Sequence, residues 1–431
     1  MTNKMIDDAI PAEASAEAST CGGLDALIAQ VHEAAANKTQ LSIRGGDTKA
    51  WYGPRIEGAR PDRRVDVRAH AGIVDYEPTE LVIVARAGTP LQEIEAMLAE
   101  HHQMLPFEPP HFASPHFAPS PALPSSSTVA RDGTMDRGTI SRTRAASGRA
   151  TLGGCVAAGL SGPRRMSAGA VRDFVLGARV IDGRGQHLSF GGRVMKNVAG
   201  YDVSRVLAGS HGTLGVITEV SLKVLPKPVQ TATLSFAFGE QAALDKLNSW
   251  GGLPVAITAS AWRPESPGAS TSPRGRLMVR LEGSESAVLS GIRRIGGLDV
   301  DQHEAIAYWI GVREQTDAYF ASRPQEVPLW RIALPSTAPP LDAAMLGFDD
   351  QLIEWGGALR WIATQVDGRV IREAATKLGG HATLWRASDL LKSKYGVFTP
   401  LSAALMAIHR RLKTEFDPDR LFNRGRLYPE L

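Results

Sequence analysis

The stretch that decides the fold covers residues 151–228 and reads TLGGCVAAGLSGPRRMSAGAVRDFVLGARVIDGRGQHLSFGGRVMKNVAGYDVSRVLAGSHGTLGVITEVSLKVLPKP. Its apolar segments are interrupted repeatedly by glycine, at Gly153, Gly154, Gly159, Gly162, Gly169 and Gly200. Glycine permits backbone angles and close approaches that a side chain forbids, but it costs conformational entropy on folding. This density of glycine predicts a backbone wrapped around a ligand. Successive N–H groups, with the charges of Arg164, Arg165 and Lys196, favour a large anion such as a pyrophosphate.

Composition limits the class of protein. The 431 residues suffice for two or three domains, and 48 basic against 45 acidic residues leave no marked nucleic-acid-binding charge. Cys21 and Cys155 form no CxxC pair, which argues against an iron–sulfur cluster, and we predict no metal site. The sequence shows neither a signal peptide nor an apolar stretch of membrane-spanning length. We therefore expect a cytoplasmic protein, peripheral to the inner membrane only through partners.

A second glycine-rich loop lies upstream, after a short predicted strand at residues 41–43. Its residues are Arg44, Gly45, Gly46, Asp47, Thr48 and Lys49. Residues 81–85 then form a compact apolar run typical of a buried strand. Thr89 as N-cap, Pro90 at the first helical position and Gln92 predict the start of a helix after that strand. The two glycine-rich loops thus flank one strand–helix unit, which suggests that both contact the same ligand.

The segments between and after these loops predict how the chain is divided into domains. Residues 112–150 are rich in Pro, Ser, Thr, Ala and Arg, so we predict a flexible insertion whose arginines are either solvated or in contact with an anionic partner. Residues 173–182 and 186–190 predict a hairpin. The alternation of Val220, Leu222 and Val224 with polar residues predicts another strand, and the Pro-Lys-Pro of residues 226–228 predicts a domain boundary.

Common nucleotide-binding motifs are missing. The sequence contains no GxxxxGK[ST] loop and no GxGxxG between a strand and a helix, so ATP hydrolysis on a P-loop and NAD binding on a Rossmann unit are both disfavoured. FAD fits better. Its diphosphate needs N–H donors, and its ring system needs a shaped apolar slot.

Several fragments together resemble one known family. RGGDTKAWYG, LPFEPPHF, GLSGPRR, VRDFVLG, KNVAGYDVSRVLAGSHGTLGVITEVSLKVLPKP and FDPDRLFNRGRLYPEL are similar to the FAD-binding E subunit of glycolate oxidase, also called glycolate dehydrogenase. That family belongs to the vanillyl-alcohol oxidase and p-cresol methylhydroxylase type of flavoproteins. The resemblance runs from about residue 24 to the C-terminus.

The resemblance implies an α+β fold: a two-lobed FAD-binding domain of p-cresol methylhydroxylase type and a smaller, ferredoxin-like cap. We expect a disordered tail at residues 1–22, the FAD-binding domain at 23–228 with its insertion at 112–150, and the cap at 229–431, with a C-terminal segment returning to the FAD-binding domain. Residues 44–49 would form the first cofactor-binding loop. The other implied cofactor-binding residues are Gly153, Gly154, Gly159, Ser161, Gly162, Gly200, Tyr201, Asp202, Gly212, Gly215, Val216 and Ile217.

Attachment of the cofactor is expected to be non-covalent. Relatives that attach FAD covalently often use a histidine in the first glycine-rich loop, and none occurs between Arg44 and Gly53. Cys155 is better explained as a small buried thiol that fills a gap in the core.

The sequence identifies no catalytic residues. Oxidation of a 2-hydroxy acid needs a proton acceptor and a cation for the carboxylate. The histidine-rich cap segment of the larger D-type relatives has no counterpart here. Arg360, Arg386 and Lys392 could hold a carboxylate, although arginines next to tryptophans also serve in packing.

The resemblance implies a subunit of a glycolate oxidase that converts glycolate to glyoxylate with a D-type flavoprotein subunit and an iron–sulfur F-type subunit. Since this chain has too few cysteines for a cluster, electrons must leave its flavin for a partner centre or a quinone. Two alternatives stay open: a stand-alone FAD-dependent 2-hydroxy acid dehydrogenase, and a non-catalytic scaffold subunit with a flavoprotein fold.

Overall fold

The computed structural model describes residues 12–54, 63–112, 149–192, 202–265, 274–324 and 326–431, with side chains from residue 23 onward. Most of the predicted insertion lies outside the described residues, as do Gly200, Tyr201 and Lys196. No helix in these six ranges has the length and apolar character needed to cross a membrane.

The first lobe is built around a short parallel strand pair. Helix α1 (Ala12–Ala36) begins within the segment expected to be an N-terminal tail, and it precedes β1 (Ser42–Arg44) and β2 (Arg64–Asp66). β1 and β2 pair in parallel, with Ile43 opposite Val65. Apolar residues of α1 pack on this pair and on Phe422 from the C-terminal segment. The lobe therefore depends on residues from both ends of the chain.

The second lobe is an antiparallel sheet of five strands in the order β3-β4-β8-β6-β7. The strands of this part of the chain are β3 (Ile73–Glu77), β4 (Val82–Arg86), β5 (Gln103–Met104), β6 (Val175–Ile181), β7 (His187–Gly191), β8 (Val216–Lys223) and β9 (Leu225–Pro226). Its helices are α2 (Leu91–Glu100), α3 (Leu152–Ala158), α4 (Arg165–Ala168) and α5 (Val171–Phe174). The predicted strands at 81–85, 173–182 and 186–190 are confirmed as β4, β6 and β7.

The prediction that Thr89 is the N-cap residue of α2 is wrong. The helix begins at Leu91 after Pro90, and no side chain caps it. Thr89 is fully buried, and its hydroxyl hydrogen-bonds both the N–H and the carbonyl of Gly72, at 2.9 and 3.1 Å. A hydroxyl that is hydrogen-bonded to Gly72, the residue before β3, is not free to cap its own helix. The apolar face of α2 was predicted correctly, since Leu91, Ile94 and Leu98 are all buried.

The cap domain is an eight-stranded antiparallel sheet in the order β13-β10-β12-β11-β15-β16-β14-β17. Its strands are β10 (Gln230–Ala237), β11 (Ile257–Pro264), β12 (Gly275–Gly283), β13 (Leu298–Asp299), β14 (Leu329–Ala333), β15 (Gln351–Glu354), β16 (Leu359–Ala363) and β17 (His381–Arg386). Its helices are α6 (Glu240–Gly251), α7 (Glu285–Ile295), α8 (Gln302–Glu314), α9 (Ala318–Ala321), α10 (Ala343–Leu346), α11 (Gly368–Lys377) and α12 (Asp389–Tyr395). The last helix, α13 (Ala403–Phe416), packs instead on the core of the second lobe through Leu412 and Phe416.

The strand order shows that the cap is a duplicated ferredoxin-like unit. β10-α6-β11-β12-α7-β13 is one βαββαβ unit, and β14-α10-β15-β16-α11-β17 is a second. The second strands of the two units pair antiparallel, with Trp262 of β11 opposite Ile353 of β15. The predicted ferredoxin-like fold is confirmed, and its duplication extends the sheet to eight strands.

Buried ion pairs join the cap to the second lobe. Arg164 of the lobe contacts Glu282 of the cap at 2.6 Å, and Arg280 of the cap contacts Glu108 of the lobe at 2.9 Å. Each of these charged groups has an opposite partner, which a buried charge requires. The cap is thereby fixed over the chain segment that follows α3.

The C-terminal segment after α13 returns to the first lobe. Leu41 N–H donates to the carbonyl of Leu421 at 2.7 Å, and Asn423 N–H donates to the carbonyl of Leu41 at 3.0 Å. The buried ammonium of Lys413 donates to the carbonyl of Thr213 at 2.6 Å and pairs with Asp417 at 2.7 Å. The last residues of the chain therefore link the two lobes.

Candidate functional site

A cleft lies where the two lobes and the C-terminal segment meet. It encloses about 820 Å³ of space open to solvent, within the range of ligand pockets. Of the predicted cofactor-binding residues, those lining it are Arg44, Gly45, Gly46, Asp47, Thr48, Lys49, Gly153, Gly154, Gly212, Gly215 and Ile217. The two glycine-rich loops, more than a hundred positions apart in sequence, thus face one cleft.

The first loop offers unpaired backbone donors to this cleft. Asp47 adopts left-handed backbone angles, with φ of 56°. Among the residues that the structure describes, no acceptor is hydrogen-bonded to the backbone N–H groups of Gly46, Asp47, Thr48 or Lys49. A run of free N–H groups around a left-handed residue forms a concave binding site for an anion. This property matches what a diphosphate requires.

Two basic side chains flank these donors. Arg44 pairs with Asp47 at 3.2 Å. Lys49 donates to the hydroxyl of Thr48 at 3.3 Å, and its ammonium lies 5.6 Å from the ring of Phe112. Burial lowers the pKa of Lys49, and no described carboxylate forms an ion pair with it. An anion in the cleft would restore the favourable environment that this ammonium lacks.

The neighbouring glycines at the start of α3 have different roles. The N–H of Gly153 donates to the carbonyl of Ala87 at 2.8 Å, and an added Cβ would lie 2.7 Å from the Cβ of Ala87. Gly153 therefore lets the helix pack closely on the chain after β4. An added Cβ at Gly154 would meet only the hydroxyl of Thr151, at 3.1 Å. At Gly154, therefore, an added side chain would extend into the cleft.

The remaining predicted residues lie away from this cleft. Gly159 ends α3 with φ of 67° and packs on Gly209, where an added Cβ would lie 2.8 Å from Cα. Val216 is fully buried in the core of the first lobe. Asp202 forms a half-exposed pair with Arg205 at 3.1 Å. Ser161 and Gly162 line a separate cavity described below. Their cofactor contacts stay predictions.

Two cleft residues from the C-terminal segment were missed. The Asn423 amide accepts from Ile43 N–H at 2.9 Å and donates to the carbonyl of His211 at 2.7 Å, so it joins the two walls of the cleft. The guanidinium of buried Arg426 donates to the carbonyls of Ala50 at 2.6 Å and Pro54 at 2.5 Å. It thereby holds the end of the first loop. The motif FNRGR, part of the family resemblance, was the signal that could have identified both residues.

A second, smaller cavity lies between the segment after α3 and the cap. It encloses about 360 Å³, and the residues that line it include Phe112, Ser161, Gly162, Gln315, Arg331, Glu354, Trp355, Trp361 and Trp385. Only Gly159 separates Ala158 of the cleft from Leu160 of the cavity. Phe112, in the cavity wall, is also the ring that Lys49 approaches from the cleft. An extended ligand could therefore occupy both spaces, with its anionic part in the cleft and an aromatic part in the cavity.

The cations expected to hold a carboxylate are engaged elsewhere. Arg360 is fully buried and donates to the carbonyls of Ala338 at 2.7 Å and Pro339 at 2.6 Å. Arg386 donates to Gln315 at 2.7 Å, and Lys392 donates to the carbonyl of Trp51 at 2.6 Å. The described residues contain no group of three or more His, Cys, Asp or Glu arranged to hold a metal ion.

Comparison with known families supports the interpretation of the cleft. Residues 20–114, which include the first glycine-rich loop, match the family described as FAD binding domain. Among solved structures, alkyldihydroxyacetonephosphate synthase superposes with a TM-score of 0.58 at 15% identity, over 93% of this chain and 75% of that one. With the cleft's free N–H donors and basic side chains, these matches define an FAD-binding protein with a p-cresol methylhydroxylase type fold.

Curated relatives narrow the class further. The chain is 42% identical to glycolate oxidase subunit GlcE of Escherichia coli over 411 residues, which cover 95% of this chain and 99% of that relative. It therefore belongs to the glycolate oxidase subunit GlcE family. A shorter match of 84 residues, 20% of this chain and 18% of the relative, is 42% identical to glycolate oxidase subunit GlcD of Bacillus subtilis.

Proposed function

We propose that this chain is the FAD-binding subunit of an enzyme that oxidises glycolate to glyoxylate and passes the electrons to a partner subunit or to a quinone. The observation that carries the proposal is the pair of adjacent spaces, one with free backbone donors for a diphosphate and one lined by aromatic rings. The relation to GlcE over nearly the whole of both chains supports glycolate as the substrate.

Residues of this chain would hold FAD as follows. The N–H groups of the first loop and the ammonium of Lys49 would contact the diphosphate, with Gly154 leaving room for it on the opposite wall. Arg426 and Asn423 would keep the loop and the lobes in place. When bound, FAD supplies the two-electron acceptor that oxidation of an alcohol to a carbonyl requires. We propose non-covalent binding, since burial raises the pKa of the Cys155 thiol to about 12 and so disfavours the reactive thiolate.

We propose two partners, a D-type flavoprotein subunit and an iron–sulfur F-type subunit. The chain has two cysteines, whereas iron–sulfur clusters are commonly held by sets of four. Electrons from the flavin therefore need an acceptor outside this chain. The relatives named as glycolate oxidase subunits GlcE and GlcD support an assembly of different subunits.

The experiment compares the chain alone with the co-expressed set of three subunits. Both preparations are scanned for flavin absorbance and then mixed with glycolate without oxygen. We expect the chain alone to retain FAD without bleaching and the assembly to bleach and form glyoxylate. Bleaching by the chain alone would instead support a stand-alone 2-hydroxy acid dehydrogenase.

Two other results would contradict the proposal. Failure of the chain to retain flavin after reconstitution would rule out its role as a flavin carrier. Full glycolate oxidation by an assembly whose E subunit carries Gly154→Val, and no flavin, would favour the scaffold alternative. A matched assembly with Gly251→Val is the control, since Gly251 ends α6 and an added Cβ there meets nothing within 4 Å.

A further inference from the structure

The second cavity contains a partly buried cation that has no hydrogen-bond or ion-pair partner among the described residues. Arg331, at the centre of β14, is partly buried, and burial lowers its pKa. Within the described ranges, none of the hydrogen bonds or ion pairs involves its guanidinium. Its neighbours are aromatic: the guanidinium carbon lies 5.1 Å from the ring centre of Trp355, 5.9 Å from that of Trp361 and 5.8 Å from that of Trp385. Cation–π contacts only partly replace the lost hydration of a cation.

Two other arginines of the cap also lie against aromatic rings, but each of them has a hydrogen-bond acceptor. Arg323 also lies over an aromatic ring, 4.2 Å from the centre of Tyr319, but it pairs with the carboxylate of Asp350. Arg372 lies 5.5 Å from Trp330 and donates to the carbonyls of Tyr395 and Gly396. Arg331 has aromatic contacts of the same kind, but none of the described residues supplies an acceptor to it, although it lines a cavity.

Trp355, which forms one wall, adds two independent signs of a binding site. Its backbone has φ of 53°, a strained conformation for a bulky residue and one that clusters at functional sites. Its indole N–H is buried and has no acceptor in the described part of the chain. A second guanidinium, that of Arg165, lies 4.4 Å from the centre of the same ring, and it too forms no described ion pair. The ring of Trp355 thus lies close to two positively charged guanidinium groups, and its own N–H has no acceptor among the described residues.

We propose that Arg331 binds the carboxylate of the small 2-hydroxy acid in this tryptophan-lined cavity, with the charge of Arg165 assisting from beyond Trp355. The planar guanidinium can donate two parallel hydrogen bonds to a carboxylate, and a water-poor aromatic environment strengthens such a pair. The cavity is adjacent to the cleft proposed for the diphosphate, so an anchored substrate would lie at the far end of an extended cofactor. The identity of the acid rests on the proposed function.

The register of the cap sheet explains why Arg331 is in this position. Arg331 is opposite Trp361 on β16 and opposite Thr383 on β17. Glu354, at the end of β15, is nearly fully buried in the same cavity, and its carboxylate accepts the indole N–H of Trp361 at 2.6 Å. Burial raises the pKa of Glu354 to about 8, which favours its uncharged form near neutral pH, while the charge of Arg331 opposes that rise. Since no described carboxylate forms an ion pair with Arg331, its guanidinium is available to an incoming anion.

The test measures glycolate binding to the FAD-loaded chain by calorimetry, with glycolamide as the neutral analogue. We expect glycolate to bind more tightly than glycolamide, and Arg331→Gln to weaken glycolate binding by about 10- to 100-fold without changing glycolamide binding. Arg331→Lys should recover part of the affinity. Arg369→Gln is the control, since the side chain of Arg369 is 79% exposed on α11. Unchanged glycolate affinity in Arg331→Gln would overturn the proposal.

A stability measurement separates a binding role from a structural one. An unpaired buried charge weakens the fold, so Arg331→Met should raise the thermal midpoint of the ligand-free chain while abolishing the preference for glycolate. A lowered midpoint, or loss of FAD with glycolate binding intact, would assign Arg331 to packing or to the cofactor. The two proposals can fail separately. If glycolate binding depends on Arg331 but the assembly does not oxidise glycolate, only the proposed function is refuted. If the assembly oxidises glycolate but binding does not depend on Arg331, only this site is refuted.

Discussion

Adjacent glycines at the start of α3 give a sharp prediction, because the same substitution should have opposite effects at the two positions. We compare Gly154→Ala with Gly153→Ala. At Gly154 the new methyl meets only the Thr151 hydroxyl, at 3.1 Å, and otherwise points to open space in the cleft. At Gly153 it would lie 2.7 Å from the Cβ of Ala87 and 3.1 Å from the carbonyl oxygen of the same residue. The first variant alters the cleft, and the second alters the packing of the lobe.

The expected magnitudes follow from these contacts. Gly154→Ala should leave the apo chain as stable as wild type or more stable by up to about 1 kcal/mol, because alanine favours a helix. It should weaken FAD binding by about 10- to 100-fold, which corresponds to about 1.4–2.8 kcal/mol. Gly153→Ala should cost about 1–3 kcal/mol of stability through overpacking. For a domain of this size, each kcal/mol shifts the unfolding midpoint by about 2–4 °C.

Two assays check the pair. Thermal unfolding of the apo chains gives the stability difference, and titration with FAD, followed by flavin fluorescence, gives the dissociation constants. Wild-type FAD affinity in Gly154→Ala would refute the assignment of this residue to the ligand face of the cleft. Equal destabilisation by both substitutions would refute the division between a packing glycine and a cleft glycine.

Three further predictions concern the cavity, the C-terminal segment and the cofactor. Burial raises the pKa of Glu354 from 4.5 to about 8, so the folded chain retains a proton that the unfolded chain releases, and stability should fall as pH rises through that window. Urea denaturation across the window should show a flatter profile for Glu354→Gln, and an unchanged profile would contradict the shift. Lys413→Met leaves buried Asp417 without its cation and should cost about 3–5 kcal/mol, measured as a lower thermal midpoint; a midpoint equal to wild type would show that this pair does not hold the C-terminal segment. Acid precipitation of the FAD-loaded chain should leave a colourless pellet with the flavin in solution, whereas a yellow pellet would reveal covalent attachment.

Local sequence patterns predicted much of the fold. The strands β4, β6 and β7 and the buried face of α2 follow from hydrophobic periodicity, because that signal reflects which face of a single element is buried. The start of α2 was placed wrongly, because the hydroxyl of Thr89 bonds to Gly72, a partner seventeen positions away. The duplication of the cap was missed for a related reason. The two ferredoxin-like units have the same order of strands in the sheet. That order arises from the tertiary structure and does not require the two halves to have similar amino-acid sequences.

The sequence by itself predicted that glycine-rich loops bind a large anionic cofactor, and the resemblance carried by those loops identified the family. The physical reason is that the loop's own residues supply what an anion needs: glycines allow the backbone N–H groups to approach it, and basic side chains provide positive charge. Only the tertiary structure decided which glycine leaves space toward the cleft, since Gly153 and Gly154 differ by what lies opposite them rather than by their neighbours in sequence. The same holds for Arg331, which the sequence does not distinguish from the other arginines. Folding places it among three tryptophans of the cap, with no acceptor in the described part of the chain.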